Sequence, residues 1–366
     1  MIISQPFVMT LLFCEALVLF FCTIALFYGV KIAFKFDENL LSPKQYKLAQ
    51  TSYLVSTIVK FALFVKLPLF LFFIWVLDEL SNLIPGAMCA VGVIDATEFG
   101  AYLLFFKITN LFLLSGWIYL NSQDFKTKTC KFMKLKFRLF IIIFIFIFCE
   151  IALEYLHFFG IKTTHIVQCC SEIFKTSHFS VNAFYHKNSF ILGAFYGIFT
   201  LFAFSAILWK QSLFSVLSAI FVFVSIYALI RFFSPYIYEL PTHKCPFCML
   251  EKEYNYIGYA IYILIFLGAL PGVYAFISKL LNIKFDDFYF KLSLFANSLL
   301  VAILSAFVLL YRFKNGVWLW YFFLQVEISI YGDKNKFFKP FLKNLFIFQI
   351  SFKGERGWLA KRPFPP

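Results

Sequence analysis

Eight nearly uninterrupted apolar stretches dominate this sequence, at roughly 7 to 29, 53 to 77, 99 to 119, 139 to 159, 190 to 208, 213 to 230, 256 to 278 and 292 to 311. Each approaches the ~20 residues that carry a helix rising 1.5 Å per residue across a hydrocarbon core. The composition agrees. Of the 366 residues 62% are hydrophobic and only 14% charged, where a soluble chain carries about 25% charge. With 56 Phe and 20 Tyr the chain is also far too aromatic for a disordered one. The expectation is an all-α, polytopic transmembrane bundle spanning 1–311, followed by a basic extension, 312–366. Residues 316–331 (GVWLWYFFLQVEISIY) are short for a span and contain Glu327, so a ninth helix, a re-entrant piece and an interfacial segment all stay open.

Net charge is +14, but the basic residues sit between apolar stretches rather than in one basic domain. They therefore point to helix orientation in lipid and not to nucleic acid. Connections 30–51, 120–138, 209–212 and 279–291 together hold 14 Lys and Arg, whereas 78–98, 160–189 and 231–255 hold 6. The basic set is expected on the cytoplasmic side, which places the N-terminus outside. No basic residue precedes Lys31, which argues against a cleavable signal peptide. The tail from Arg312 onward adds 10 basic residues; with eight spans it lies outside against the rule, and a ninth would return it. Abundant Phe, Ile, Lys, Asn and Tyr fit an AT-rich bacterial genome, hence a bacterial inner membrane. No loop resembles a phosphate cradle, so nucleotide hydrolysis is not expected.

The nine cysteines and five histidines divide unevenly between the two sides. Cys14, Cys22, Cys130 and Cys149 fall in helices or on the cytoplasmic side, as small apolar groups. Cys89 (IPGAMCAVG), Cys169 and Cys170 (THIVQCCSE), and Cys245 and Cys248 (THKCPFCML) all fall in the three outer loops. So do the histidines: His157 at a helix edge, His165, His178, His186, and His243 two residues before Cys245. Thiolate and imidazole are what disulfide exchange needs and what copper, zinc or haem sites use. A permease-type subunit whose cysteines form only structural disulfides, in an oxidising compartment, is the plainer alternative. A Cys-x-x-Cys pair is nevertheless poorly placed to staple distant segments, and its short loop is typical of reactive pairs and metal knuckles. Vicinal Cys169 and Cys170 bridge each other only through a strained ring, so exchange or shared ligation is more natural.

The stretch Cys245-Pro-Phe-Cys248-Met-Leu-Glu251-Lys252, running towards an apolar helix, resembles the thiol motif of the disulfide bond formation protein B (DsbB) family of membrane thiol-quinone oxidoreductases. The resemblance covers about 20 residues. It implies that Cys245 and Cys248 form a pair reoxidised by a membrane quinone, with Glu251 and Lys252 near that carrier. It also implies that Cys169, Cys170 or Cys89 pass the disulfide to a periplasmic, thioredoxin-like partner. Three departures accompany it. Lys252 stands where the family has Arg, losing a planar multidentate donor; the helix count is about double; and the candidate second cysteines precede the motif and are adjacent to each other. A position at the start of a helix, beside Lys244 and Lys252, is expected to favour the thiolate, with Glu251 and Glu253 opposing. In the metal reading His243 and His165 join Cys245 and Cys248 as ligands.

Glu15, Lys60, Lys66, Lys107 and Glu150 lie inside apolar stretches, where an ionised group costs at least ~3 kcal/mol and so faces a partner or a wet cavity. Lys107 and Glu150 are expected at similar depth on sequential antiparallel helices, close and mutually compensating. Either a proton or ligand path to the outer site, which would make them cofactor-facing, or a structural ion pair would explain them. Pro68 and Pro271 are positioned to kink their helices.

Overall fold

The computed structural model describes residues 2–36, 42–126, 132–162, 167, 188–240 and 243–319. The described residues are helical and contain no strand. The ten helices, in chain order, are α1 (Pro6–Lys35), α2 (Pro43–Ser81), α3 (Ala90–Asp95), α4 (Gly100–Lys126), α5 (Met133–Gly160), α6 (Asn188–Ile207), α7 (Gln211–Ala228), α8 (Ser234–Tyr238), α9 (Ile257–Leu280) and α10 (Asp287–Asn315). Among them eight helical runs are long and apolar enough to cross a membrane. The protein is a multi-pass, all-α membrane protein. Its chain divides into two compact units, Met1–Leu310 and Tyr311–Pro366, and the polar clusters of the bundle belong to the first.

Local chemistry sets the helix ends. Pro6 and Pro43 stand at first-turn positions, where proline's missing N–H costs nothing. Ser42 caps α2 by accepting from the Gln45 N–H at 3.4 Å. At about 1.5 Å per residue α2 is roughly 58 Å long and runs through Pro68 without ending; α9 likewise continues through Pro271. The window expected to end at residue 230 instead continues. A π-helical turn, Leu229–Phe233, joins α7 to α8, and the whole run reaches Tyr238. Arg231 ended the apolar pattern but not the helix, which stops where Glu239 takes a left-handed conformation (φ 54°). Residues 320–331 of the ambiguous ninth segment lie outside the described residues.

In this unit α1 packs on α2 and α5, α4 on α5, α6 on α7, and α9 on α4 and α7. The main core is aliphatic and aromatic, from Val8, Leu11, Phe73, Trp117, Phe137 and Phe140. Large apolar side chains point outward as well, among them Phe13, Phe64, Phe204 and Phe223. In water that would be an aggregation surface; here it is the lipid-facing coat.

Candidate functional site: a thiol cluster above a buried charge network

Among the described residues, two polar constellations lie at and below one end of the apolar bundle. The first lies at the end where α2 finishes, α4 begins and α8 hands over to α9. Cys89 ends the α2–α3 connection and immediately precedes α3. Cys245 and Cys248 lie in the α8–α9 connection, Cys248 opening a short 3-10 turn, Cys248–Leu250. Although 156 residues apart, the Cys89 and Cys245 sulfurs approach to 3.5 Å. With Cys248 they form a triad whose sulfurs all lie within 4.8 Å of one another. At that spacing they are thiols in contact, all three buried (1%, 1% and 5% exposed).

The loop that carries the pair is held by its own backbone. Tyr238 Oη donates to the Cys245 carbonyl and Tyr262 Oη to the Pro246 carbonyl, each at 2.5 Å. The Phe247 N–H points at Cys245 Sγ at 3.4 Å. Gly258, in the first turn of α9, lets the 3-10 turn close in: a methyl group there would collide with Met249 and Leu250. Phe247 and Leu250 pack onto the main core, so the loop is seated rather than draped. Tyr238 also meets the rings of His243 (4.5 Å) and Tyr254 (4.6 Å).

The expected helix start at the thiols is corrected. Between Cys248 and α9 come a second 3-10 turn, Lys252–Tyr254, and two left-handed residues, Asn255 and Tyr256 (φ 53° and 55°). Helix α9 begins only at Ile257, and a helix dipole acts within about a turn of its end. The pair therefore precedes α9 in the chain rather than opening it. The nearby charges are of both signs, with Asp78, Glu251 and Glu253 against Lys244 and Arg231. Burial, then Asp78, Cys89 and Glu253, push the Glu251 carboxyl up to about 7. Burial lowers His243, holding its imidazole neutral against the opposing influence of Cys89. Burial, assisted by Arg231, lowers Lys244. His243 Nε2 and Glu251 Oε1 are buried without a hydrogen-bond partner. Cys169, Cys170, His165, His178 and His186 lie outside the described residues. At the site's edge the Val167 N–H donates to the Pro85 carbonyl at 3.0 Å, in the loop that leads to Cys89.

The second constellation lies deeper, about 9 to 22 Å below the helix ends nearest the thiols at 1.5 Å per residue. Lys66 Nζ contacts Glu15 Oε2 (2.6 Å) and Glu150 Oε1 (2.8 Å). Lys107 Nζ contacts Glu15 Oε1 (3.1 Å), Glu150 Oε1 (3.1 Å) and Glu154 Oε2 (3.0 Å), and lies over the Phe73 ring. Asn110 Nδ2 donates to Glu150 Oε2 at 2.5 Å. The anticipated approach of Lys107 to Glu150 is present, within a larger network drawn from α1, α2, α4 and α5. Its adjoining cavity, about 10 Å³, has room for one water and none for a quinone-sized ring. Lys60 stands apart, its ammonium over the Phe125 ring at 4.9 Å.

Glu154 and Asn110 are not among the residues the apolar stretches single out, although spacing offers a signal. Glu154 is four residues after Glu150 and Asn110 three after Lys107, each on the same helix face as its neighbour. A further buried pair, Lys136 with Asp124 at 2.7 Å, with Asn121 accepting from Lys136, was hidden because both residues read as loop charges.

No protein-family model matches the chain, no curated protein is similar to it, and no solved structure matches its fold.

Proposed function

We propose that this protein is a thiol-disulfide exchange protein of the bacterial inner membrane, with its N-terminus and thiol cluster on the outer side. The observation that carries the reading is the 3.5 Å approach of Cys89 to Cys245, with Cys248 in the same cluster. Exchange proceeds by attack of a thiolate on a disulfide sulfur, so it needs three sulfurs at one place. A single structural disulfide needs only two.

Oxidation of the Cys245/Cys248 dithiol forms one S–S bond and releases two protons and two electrons. A lipid-soluble two-electron carrier of the quinone class, which becomes the quinol, takes them. Cys89, as thiolate, then attacks Cys245 of that disulfide, forming Cys89–Cys245 and releasing Cys248, which takes up the proton Cys89 gave up. A soluble dithiol of the thioredoxin-like class finally receives the disulfide and returns the cysteines to thiols. Glu251, close to Cys248 and with its carboxyl pushed up to about 7, is placed to accept or return a proton. The topology is supported by the 14 against 6 distribution of basic residues.

The same three sulfurs, with the unpartnered Nε2 of His243 nearby, favour a second reading: thiolate and imidazole ligation of copper or zinc, or a role in haem handling. One set of variants separates the two. Under exchange, Cys89→Ser accumulates the Cys245–Cys248 disulfide, which it cannot pass on, on non-reducing gels and by mass spectrometry, and adding His243→Ala leaves this unchanged. Under metal binding, His243→Ala lowers bound metal as much as loss of a cysteine, and no disulfide accumulates. If neither occurs in any variant, both readings fail. Sidedness is read at Met88→Cys, because Met88 is 71% exposed whereas the native thiols beside it are shielded. Its protection from a membrane-impermeant thiol reagent in intact cells would invert the topology.

A further inference from the structure

The buried network contains three carboxylates, Glu15, Glu150 and Glu154, against two ammonium groups, Lys66 and Lys107, all 3% exposed or less. Fully ionised it carries one uncompensated negative charge in the membrane interior, where even one such charge is costly. The contacts show where that charge falls. Glu15 meets both lysines, Glu150 meets both lysines and Asn110, and Glu154 meets Lys107 alone. Glu154 Oε1 has no partner, and neither has Asn110 Oδ1, whose residue lines the small cavity together with Glu15, Lys66, Lys107 and Glu150. A buried acceptor without a donor is expensive, and two of them beside an excess negative charge mark a site for a bound positive species. Two ammonium groups within 3.1 Å of these carboxylates oppose a metal cation, and the 10 Å³ space beside Asn110, which Glu154 does not line, excludes anything larger than water. A proton meets both limits.

We propose that the network is a binding site for one exchangeable proton, carried on Glu154 and passed towards the thiol end through His157. His157 is three residues beyond Glu154 on the same side of α5, so the two side chains stand about one turn apart. It is fully buried, its Nδ1 faces Thr97 Oγ1 at 2.5 Å in the α3–α4 connection, and its Nε2 is unpartnered. Other titratable groups facing the site are few. Cys22 of α1 lies within electrostatic reach of Lys66, Glu15 and Glu150. Tyr155 of α5 lies within reach of Glu154 and Glu15, its hydroxyl donating to the Leu12 carbonyl. Neither contributes a positive charge. This site stands independently of the thiol reading.

Infrared difference spectroscopy of the full chain in lipid nanodiscs tests it. The wild type at neutral pH is expected to show a protonated-carboxyl C=O band that disappears in Glu154→Gln, whose amide mimics the protonated acid and should fold. The subtraction isolates the band from that of Glu251. In D2O the band shifts as the proton exchanges, and His157→Phe is expected to slow that shift at least tenfold. A wild type without the band, or a band unchanged in Glu154→Gln, overturns the proton site. A band seen only when sodium is replaced by a bulky organic cation overturns it in favour of a metal ion. An exchange rate unchanged in His157→Phe overturns the route.

Discussion

The helices before and after the α5–α6 connection solve the same packing problem by different means. Helices α1, α2, α4 and α5 enclose charges: five ionised or ionisable side chains from four helices meet in the Glu15, Lys66, Lys107, Glu150, Glu154 network, and Lys136–Asp124 adds a pair towards the opposite end. Helices α7, α9 and α10 approach closely on small and hydroxylated residues. Ser293 Oγ donates to the Gly268 carbonyl at 2.5 Å, Asn297 lies against Gly268, and Ser218 lies against Gly272. Lipid offers no hydrophobic drive for helix association, so close backbone approach and hydrogen bonds do the holding. Charge is the more demanding device, because each group is tolerable only while its partners are in place. The thiol cluster draws on both regions, with Cys89 from the first and Cys245 and Cys248 from the second. Its 3.5 Å contact therefore reports how the two are set against each other.

The largest expected effect comes from breaking the charged half. Lys107→Met leaves three carboxylates with one ammonium and should cost about 3–5 kcal/mol, read as a fall in thermal stability of the purified protein in detergent. Lys107→Met with Glu150→Gln removes charge of both signs and should recover much of that loss. A double variant no better folded than the single one would mean that the network is not a mutual compensation.

A smaller effect is expected in the half held by small residues. Gly268→Ala forces a methyl group against the Asn297 amide and should cost about 1–3 kcal/mol as overpacking. Gly193→Ala, on α6, meets nothing within 4 Å and should stay within about 0.5 kcal/mol of the wild type. Equal stability of the two variants would remove close backbone approach as the basis of the contrast.

The sequence discloses the two halves unequally. Spans are legible because about 20 apolar residues have one use, and buried Lys and Glu are legible because lipid makes them conspicuous. Lys107 and Glu150 could be paired from depth alone. Glu154 could also have been found, by its i, i+4 spacing from Glu150. Lys136 with Asp124 could not, since both lie where charge is ordinary. Cys89 could be assigned to the same side as Cys245, yet their contact depends on how α2 and α9 pack, which no local pattern encodes. The register of the Cys-x-x-Cys loop misled for a related reason. An apolar pattern beginning at residue 256 marks where α9 starts but says nothing of the two 3-10 turns and left-handed residues that separate it from the thiols.

The smallest effect concerns the place where the halves meet, and its sign follows from Glu251. Its carboxyl is pushed up to about 7, chiefly by burial, from an ordinary value of 4.5. Between those values the folded protein holds a proton that the unfolded chain has already released, so stability must fall as pH rises through that window and level off above it. The group is only partly buried, so the slope should be shallow. Glu251→Gln, permanently neutral, should remove this contribution while leaving the charged network untouched. Thermal melts of both forms between about pH 4.5 and pH 7 provide the check. A wild-type slope that persists unchanged in Glu251→Gln would place the titrating group elsewhere, and with it the proton assigned to Cys248's neighbour in the exchange. A slope lost in Glu251→Gln but retained in Glu154→Gln would show that the acid at the thiols and the acid within the membrane titrate as separate sites, each belonging to its own region.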